Sequence, residues 1–280
     1  MAALLGIALG VSFGACFATG LLSHLIQKPP GWFTWPARPA GLYRVTQGVH
    51  VATGIAAIPL LLAKLWAVYP KLLAWPPVRD AAHAVERVSL VPLVGGSLFM
   101  LVSGTANIAR WYPWRFFFPA AHYWVAWITI GALVAHIGAK LATTRQALRR
   151  RQEAAGTGLG VTRRRFLGTV AAASGLLTAT TAGQTIEALR RWAVLAPRRA
   201  RLGPQGLPVN TTAAAAGVTE AAADPAYRLV VEGAVARRLE FSLEELRALP
   251  QHDATLPIAC VEGWSTTARW RGVAVADLLA

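Results

Sequence analysis

Residues 117–139 read FFPAAHYWVAWITIGALVAHIGA, a run without a single Asp, Glu, Lys or Arg that carries two histidines, His122 and His136. As a helix rising 1.5 Å per residue it spans about 35 Å, enough to cross the ~30 Å hydrocarbon core of a bilayer. Three comparable runs precede it, from about Leu4 to Ile26, Tyr43 to Tyr69 and Val88 to Ile108. A helix on a water-soluble core would interleave polar residues at helical period, and these runs do not. Lys28-Pro29-Pro30 stops the first run, and Trp32, Trp35, Trp75, Trp111 and Trp114 fill the connections. Tryptophan collects at headgroup level because its ring is apolar and its N–H is not. The whole chain is 55% hydrophobic and 15% charged, against ~25% charged in ordinary soluble domains. Residues 1–145 are therefore read as a four-helix transmembrane bundle in contact with lipid.

The net charge of +15 could suggest a nucleic-acid partner, but no module interleaves basic and aromatic residues as nucleic-acid binding requires. The positive charges instead sort by side. Lys64, Lys71, Arg79 and Arg87 flank the second connection, and Lys140, Arg145, Arg149, Arg150, Arg151 and Arg163 to Arg165 follow the fourth run. The other side has Lys28, Arg38, Arg44, Arg110 and Arg115. The richer side should face the cytoplasm, which places the N-terminus inside. Of the two cysteines, Cys16 lies in the first apolar run and Cys260 in a polar C-terminal segment, so no disulfide between them is expected.

Residues 146–183 form a basic linker followed by a fifth, less apolar run. The linker's Gly156-Thr-Gly-Leu-Gly160 is not a nucleotide fingerprint, because no strand precedes it. Thr162-Arg-Arg-Arg-Phe-Leu-Gly168 and the apolar stretch to about Gly183 resemble the twin-arginine signal of exported, already folded domains. The plainer reading is a stop-transfer helix with a basic flank. Arg190, Arg191, Arg198, Arg199 and Arg201 follow and would break the positive-inside pattern under ordinary insertion. The resemblance implies export of the C-terminal part by the twin-arginine machinery. With no small-x-small pattern before Gln184, the fifth run is expected to stay as an anchor. Residues 184–224, rich in Ala, Pro and Arg, read as a tether.

From about residue 225 the pattern becomes α+β. Tyr227 to Gly233 reads as a strand and turn, Ser242-Leu-Glu-Glu245 as a capping box opening a short helix before Pro250, and Ala254 to Val261 as a second strand. Trp270-Arg-Gly-Val273 leads to a last short helix. Some 55 residues are few for an independent domain, so residues 225–280 are expected to be the N-terminal part of a larger one.

Five of the six histidines, His24, His50, His83, His122 and His136, lie in or beside the four apolar runs. An ionisable side chain in hydrocarbon needs a partner or a function. His122 and His136 are separated by about 21 Å along one helix and about 40° around it. They share a face at two depths, which suits two stacked haems, each taking one ligand from this helix and one from a neighbour. Depth pairs His122 with His50, with His24 as the alternative, and His136 with His83. Residues 1–145 resemble four-helix membrane cytochromes of the b type, which implies about two haems b and exchange with the quinone pool. Arg44, Arg110 and Arg115 could meet haem propionates or lipid headgroups.

The run Leu256-Pro-Ile-Ala-Cys260-Val-Glu-Gly-Trp-Ser265, followed by Trp270-Arg-Gly-Val273 and Asp277-Leu-Leu279, resembles the sulfite-oxidase-type molybdopterin domain. Its wording is nearer to the bacterial protein-methionine-sulfoxide reductase branch. The resemblance implies a molybdenum–molybdopterin cofactor whose single protein thiolate falls on Cys260, a soft ligand for a soft metal. A core cysteine is the alternative for Cys260. Arg269, Arg271 and His252 could touch cofactor or substrate, or be solvated.

Together these parts predict a multi-pass protein of a bacterial cytoplasmic membrane with an extracytoplasmic molybdenum site. It would oxidise a sulfite-like substrate or reduce an S- or N-oxide, coupled through haem to the quinone pool. An electron-transfer cytochrome with a non-catalytic C-terminal segment, or a scaffold with structural histidines, are the alternatives.

Overall fold

The structure, a computed structural model, describes the chain except residues 37, 40, 154–159, 197–202, 261–263 and 280. The start of the Gly156–Gly160 segment, Arg198, Arg199, Arg201, and Val261, the expected end of the second strand, lie outside the described residues.

Five long helices come first: α1 (Ala2–Gln27), α2 (Leu42–Leu72), α3 (Ala81–Ile108), α4 (Phe118–Glu153) and α5 (Gly160–Thr181). Among the described residues, α1, α2, Arg87–Ile108 of α3 and Phe118–Arg149 of α4 are long and apolar enough to cross a membrane. Two helices outrun the apolar pattern. α3 starts at Ala81, where the Asp80 carboxylate accepts the His83 N–H at 2.7 Å, the cap that satisfies an otherwise orphaned donor. α4 continues past Ala139 through Lys140 to Glu153 because that stretch holds neither Gly nor Pro and is rich in the helix formers Leu, Ala, Arg and Gln.

Side-chain pairings fix the helix directions. Leu5 packs with Ala63 while Gly20 faces His50, so α1 and α2 run antiparallel. Leu101 of α3 packs against the cluster of Leu9, Ala57 and Leu61, and Ile108 against that of Val51, Ile55 and Ala182, so α3 opposes α2. Phe17 meets Trp127, and His24 meets Tyr123, which sets α4 against α1. The bundle is thus up-down-up-down, as short connections between neighbours dictate. Large side chains such as Val11, Leu62, Val102, Ile128 and Val134 are left exposed on its outside. In water that would be costly; against lipid it is the expected surface.

α5 is antiparallel to α2. Val170 packs with Leu5 and Ala63 at one end, and Ala182, just past α5, with Val51 and Ile55 at the other. Between them Ser174 Oγ donates to Ala56 O at 3.0 Å and Thr178 Oγ1 to Ala52 O at 3.5 Å. Pro59 sits inside α2 and offers no N–H to Ile55 O, so this turn of the ladder is loosened beside the hydroxyls.

The α2–α3 connection is knitted by Arg87, whose guanidinium donates to Leu72 O and, at 3.0 Å, to Lys71 O. A cation thereby covers orphaned carbonyls at a helix C-terminus. Between α3 and α4 the close approach is at Gly96, where a β-carbon would overlap Thr129 Oγ1, itself 3% exposed. Gly96→Ala is expected to push the two helices apart and destabilise the bundle by about 1–3 kcal/mol, read as a lowered thermal transition in detergent.

The chain divides into two compact units, Met1–Pro197 with Ala259–Ser265, and Arg198–Ile258 with Thr266–Ala280. The C-terminal region contains α6 (Thr219–Ala223), β1 (Arg228–Val231), β2 (Leu239–Ser242), α7 (Leu243–Ala248), β3 (His252–Cys260), β4 (Trp264–Gly272) and α8 (Val275–Leu278). β1 and β2 pair antiparallel with Arg228 opposite Ser242 and Val231 opposite Leu239, and β3 pairs with β4. β2 is a strand the sequence pattern did not suggest, because its four residues run straight into the capping box. That box is complete: Glu245 N–H donates to Ser242 Oγ at 3.2 Å, and Ser242 N–H donates to Glu245 Oε2 at 2.7 Å. The donated backbone hydrogen bond holds the Glu245 carboxyl below its usual range. The segment read as a tether holds three 3₁₀ turns, Ala182–Thr185, Glu187–Trp192 and Pro204–Gly206. In the last of these, the Gln205 carboxamide accepts from Arg269 N–H at 3.0 Å and donates to Arg269 O at 2.9 Å. It stands in for a neighbouring strand along the edge of β4.

Candidate functional site

A cavity of about 280 Å³ opens between α1, α2, α3 and α4, and His50 and His122 both line it. Each histidine is aimed by the helix beside it. His50 Nδ1 lies 2.9 Å from Cys16 O and 3.4 Å from Thr19 Oγ1. A carbonyl can only accept, so the proton resides on Nδ1 and the Nε2 lone pair is left to a ligand. The ring reaches α1 because residue 20 is glycine: a β-carbon there would stand 3.0 Å from His50 Cε1. His122 Nδ1 lies 3.2 Å from the hydroxyl of Ser103, which is 1% exposed. Gly104, the next residue on α3, faces His122 Cε1. Neither Nε2 has a hydrogen-bond partner among the described residues.

The two imidazole centres are 6.4 Å apart, with the rings inclined at 68°. With metal–nitrogen bonds of about 2 Å and nitrogens about 1 Å from the ring centres, two imidazoles on opposite sides of one metal stand about 6 Å apart. The two imidazoles, their second hydrogen bonds and their spacing therefore fit a pair that would hold one metal between them in an apolar, four-walled cavity. The glycine sockets leave room beside the rings.

The other histidines are placed differently. His24 lines the same cavity but stacks flat on Tyr123, centroids 3.9 Å apart. His83 sits in the first turn of α3, where its Nδ1 accepts from Arg79 N–H at 3.2 Å and its Nε2 lies 3.4 Å from Arg87 Nε. His136 is on α4 and does not line this cavity. Gly96 opposes Thr129 and Ser103 opposes His122, so His136 falls level with Ser89. His83 is six residues further, about 9 Å along the axis. The register thus offsets the two histidines that depth alone had paired.

Cys260 ends β3 and is half-buried, and neither it nor Cys16 forms a disulfide. β4 buries Ser265, Thr266 and Ala268 and exposes Arg269 and Arg271. A half-buried thiol at the end of a strand fits a single-thiolate ligand. His252 is engaged elsewhere, its Nε2 2.6 Å from Asp277 Oδ2, which ties the start of β3 to α8.

Residues 215–280 match the family described as the oxidoreductase molybdopterin binding domain. That stretch includes Cys260 and every strand of the C-terminal region. Over 47 residues the chain is 47% identical to a protein of Azospira oryzae named "Putative protein-methionine-sulfoxide reductase subunit YedZ1", a match covering 17% of this chain and 18% of that one. No solved structure matches the chain.

Sequence reasoning missed Ser103, Gly20 and the Cys16 carbonyl as parts of the histidine site. The available signal was small residues inside otherwise bulky apolar runs, such as Ser103-Gly104, which in membrane helices mark close contacts.

Proposed function

We propose that this protein is a membrane-bound oxidoreductase that carries electrons between the quinone pool and an extracytoplasmic molybdenum–molybdopterin site, by way of b-type haem. The neighbouring pair His50 and His122, each with Nδ1 hydrogen-bonded and both lining one cavity, is the observation that carries the reading. When bound, haem supplies one-electron carriage within the bundle and the molybdenum cofactor supplies two-electron oxygen-atom chemistry. His50 and His122 would hold the haem iron, Gly20 and Gly104 leave room for their rings, and the apolar walls would keep water out. Cys260 would supply the protein thiolate of the molybdenum site. The register favours one haem at His50 and His122 over a second between His83 and His136.

The positive-inside distribution places the N-terminus in the cytoplasm, and α5, entered through Arg163 to Arg165, is the fifth span that carries residues 225–280 across by the twin-arginine route. α5 running alongside α2 supports this reading. The direction proposed is reductive, in keeping with the name of the Azospira oryzae relative. A quinol gives up two electrons and two protons, and an S-oxide takes up two of each to become a thioether and water.

Iron and molybdenum per polypeptide, with a reduced-minus-oxidised absorption spectrum of detergent-purified protein from the full gene, test this. One or two irons as haem b with one molybdenum are expected. A spectrum without haem bands sinks the membrane half of the proposal. Haem without molybdenum, despite cofactor supply and export, leaves an electron carrier and makes Cys260 a core cysteine.

A further inference from the structure

The two histidines of the cavity are held by partners of different kinds. The acceptor of His50 Nδ1 is a carbonyl, Cys16 O. The second nearby oxygen, Thr19 Oγ1, has its own hydrogen committed to Ala15 O at 2.6 Å and can only accept. Everything around His50 Nδ1 therefore demands a proton there, and the ring is wedged against α1 at Gly20. The partner of His122 Nδ1 is the Ser103 hydroxyl, which can accept or donate. When Ser103 accepts, His122 Nε2 presents its lone pair to the cavity. When Ser103 rotates and donates, the ring proton moves to Nε2 and the lone pair is lost. The fit behind His122 is also looser, since a β-carbon at Gly104 would sit at an ordinary 3.5 Å from Cε1, against 3.0 Å at Gly20.

We propose that Ser103 is a positioning residue for His122, and that its two-way hydroxyl makes His122 the exchangeable axial donor while His50 is the fixed one. The inference rests on the reading of this cavity as a haem site. It assigns a division of labour: one ligand holds the cofactor in place, and the other can give way to an outside molecule.

The test uses the full chain, purified with its haem, and carbon monoxide as the probe on dithionite-reduced protein. Loss of a hydrogen bond behind a metal ligand weakens ligation by about 10–100-fold. Ser103→Ala should therefore bind carbon monoxide about tenfold faster or more, and raise the high-spin fraction of the oxidised spectrum. Ser97, on the same helix and 3% exposed, makes no hydrogen bond to His122, whose hydroxyl partner is Ser103, and Ser97→Ala should change neither. Ser103→Thr, which keeps the hydroxyl, should restore wild-type behaviour. Should Ser103→Ala lose haem outright, rescue by Ser103→Thr supports the proposal and failure of that rescue overturns it. Unchanged carbon monoxide binding and spin state in Ser103→Ala overturn it as well, while the haem assignment stands. A wild type without haem overturns both.

Discussion

His122→Ala is expected to weaken haem binding in the purified protein by about 10–100-fold or more and to shift the absorption of what remains towards high spin. Changes one shell further out already weaken metal sites by 10–100-fold, and this change removes a donor itself. His50→Ala, which removes the fixed donor, should lose haem outright, since the two rings stand 6.4 Å apart across one cavity and neither can replace the other. The helices themselves should survive. Truncation leaves the Ser103 hydroxyl without its partner, at about 1–3 kcal/mol for a buried group, while the contacts of α2 with α1, α3 and α5 are untouched. Haem stoichiometry is the measurement, with gel filtration in detergent to show an intact bundle. His83→Ala is the control. Its ring is engaged by Arg79 and Arg87 away from the cavity, so the haem spectrum should stay as in wild type. If His122→Ala kept a full, unshifted haem spectrum, the cavity would not be the haem site.

Cys260→Ala should abolish molybdenum-dependent turnover in the protein from the full gene while leaving the haem spectrum unchanged. Among the described residues of the segment matching the molybdopterin-binding family, Cys260 is the sole thiol. Cys260→Ser is expected to fail too, because a hydroxyl is a harder and far weaker ligand than a thiolate. The measurements are S-oxide reduction with reduced quinol and metal content of the same preparation. Retained turnover in Cys260→Ala would make this residue part of the β3 packing and move the metal site elsewhere.

The bundle was legible in the sequence because hydrocarbon imposes a coarse rule. A span must hold about 20 apolar residues and satisfy its own backbone, and all four runs could be counted on that basis. Helix ends were less legible. α3 begins at Ala81 and α4 reaches Glu153 because capping and helix propensity, not hydropathy, decide where a helix stops in water. β2 was hidden for a related reason: four residues carry too little periodicity to announce a strand that exists by pairing with β1. His252 looked available for chemistry until Asp277, distant in sequence, was seen to occupy it.

By itself the sequence determined that the chain has four apolar runs, where along them the histidines fall, and which charges sit between them. These follow from composition along one dimension, since lipid selects on the mean character of twenty residues at a time. Only the tertiary structure decided the partners. The antiparallel register of α1 against α2 sets His50 on the Cys16 carbonyl, and that of α3 against α4 sets His122 on Ser103 and carries His136 past His83. A shift of one helical turn, about 5.4 Å, would break each of these pairings without changing the hydropathy of any span. Close packing at Gly20 and Gly96 holds that register, and small residues in contact across helices leave no trace in a one-dimensional pattern.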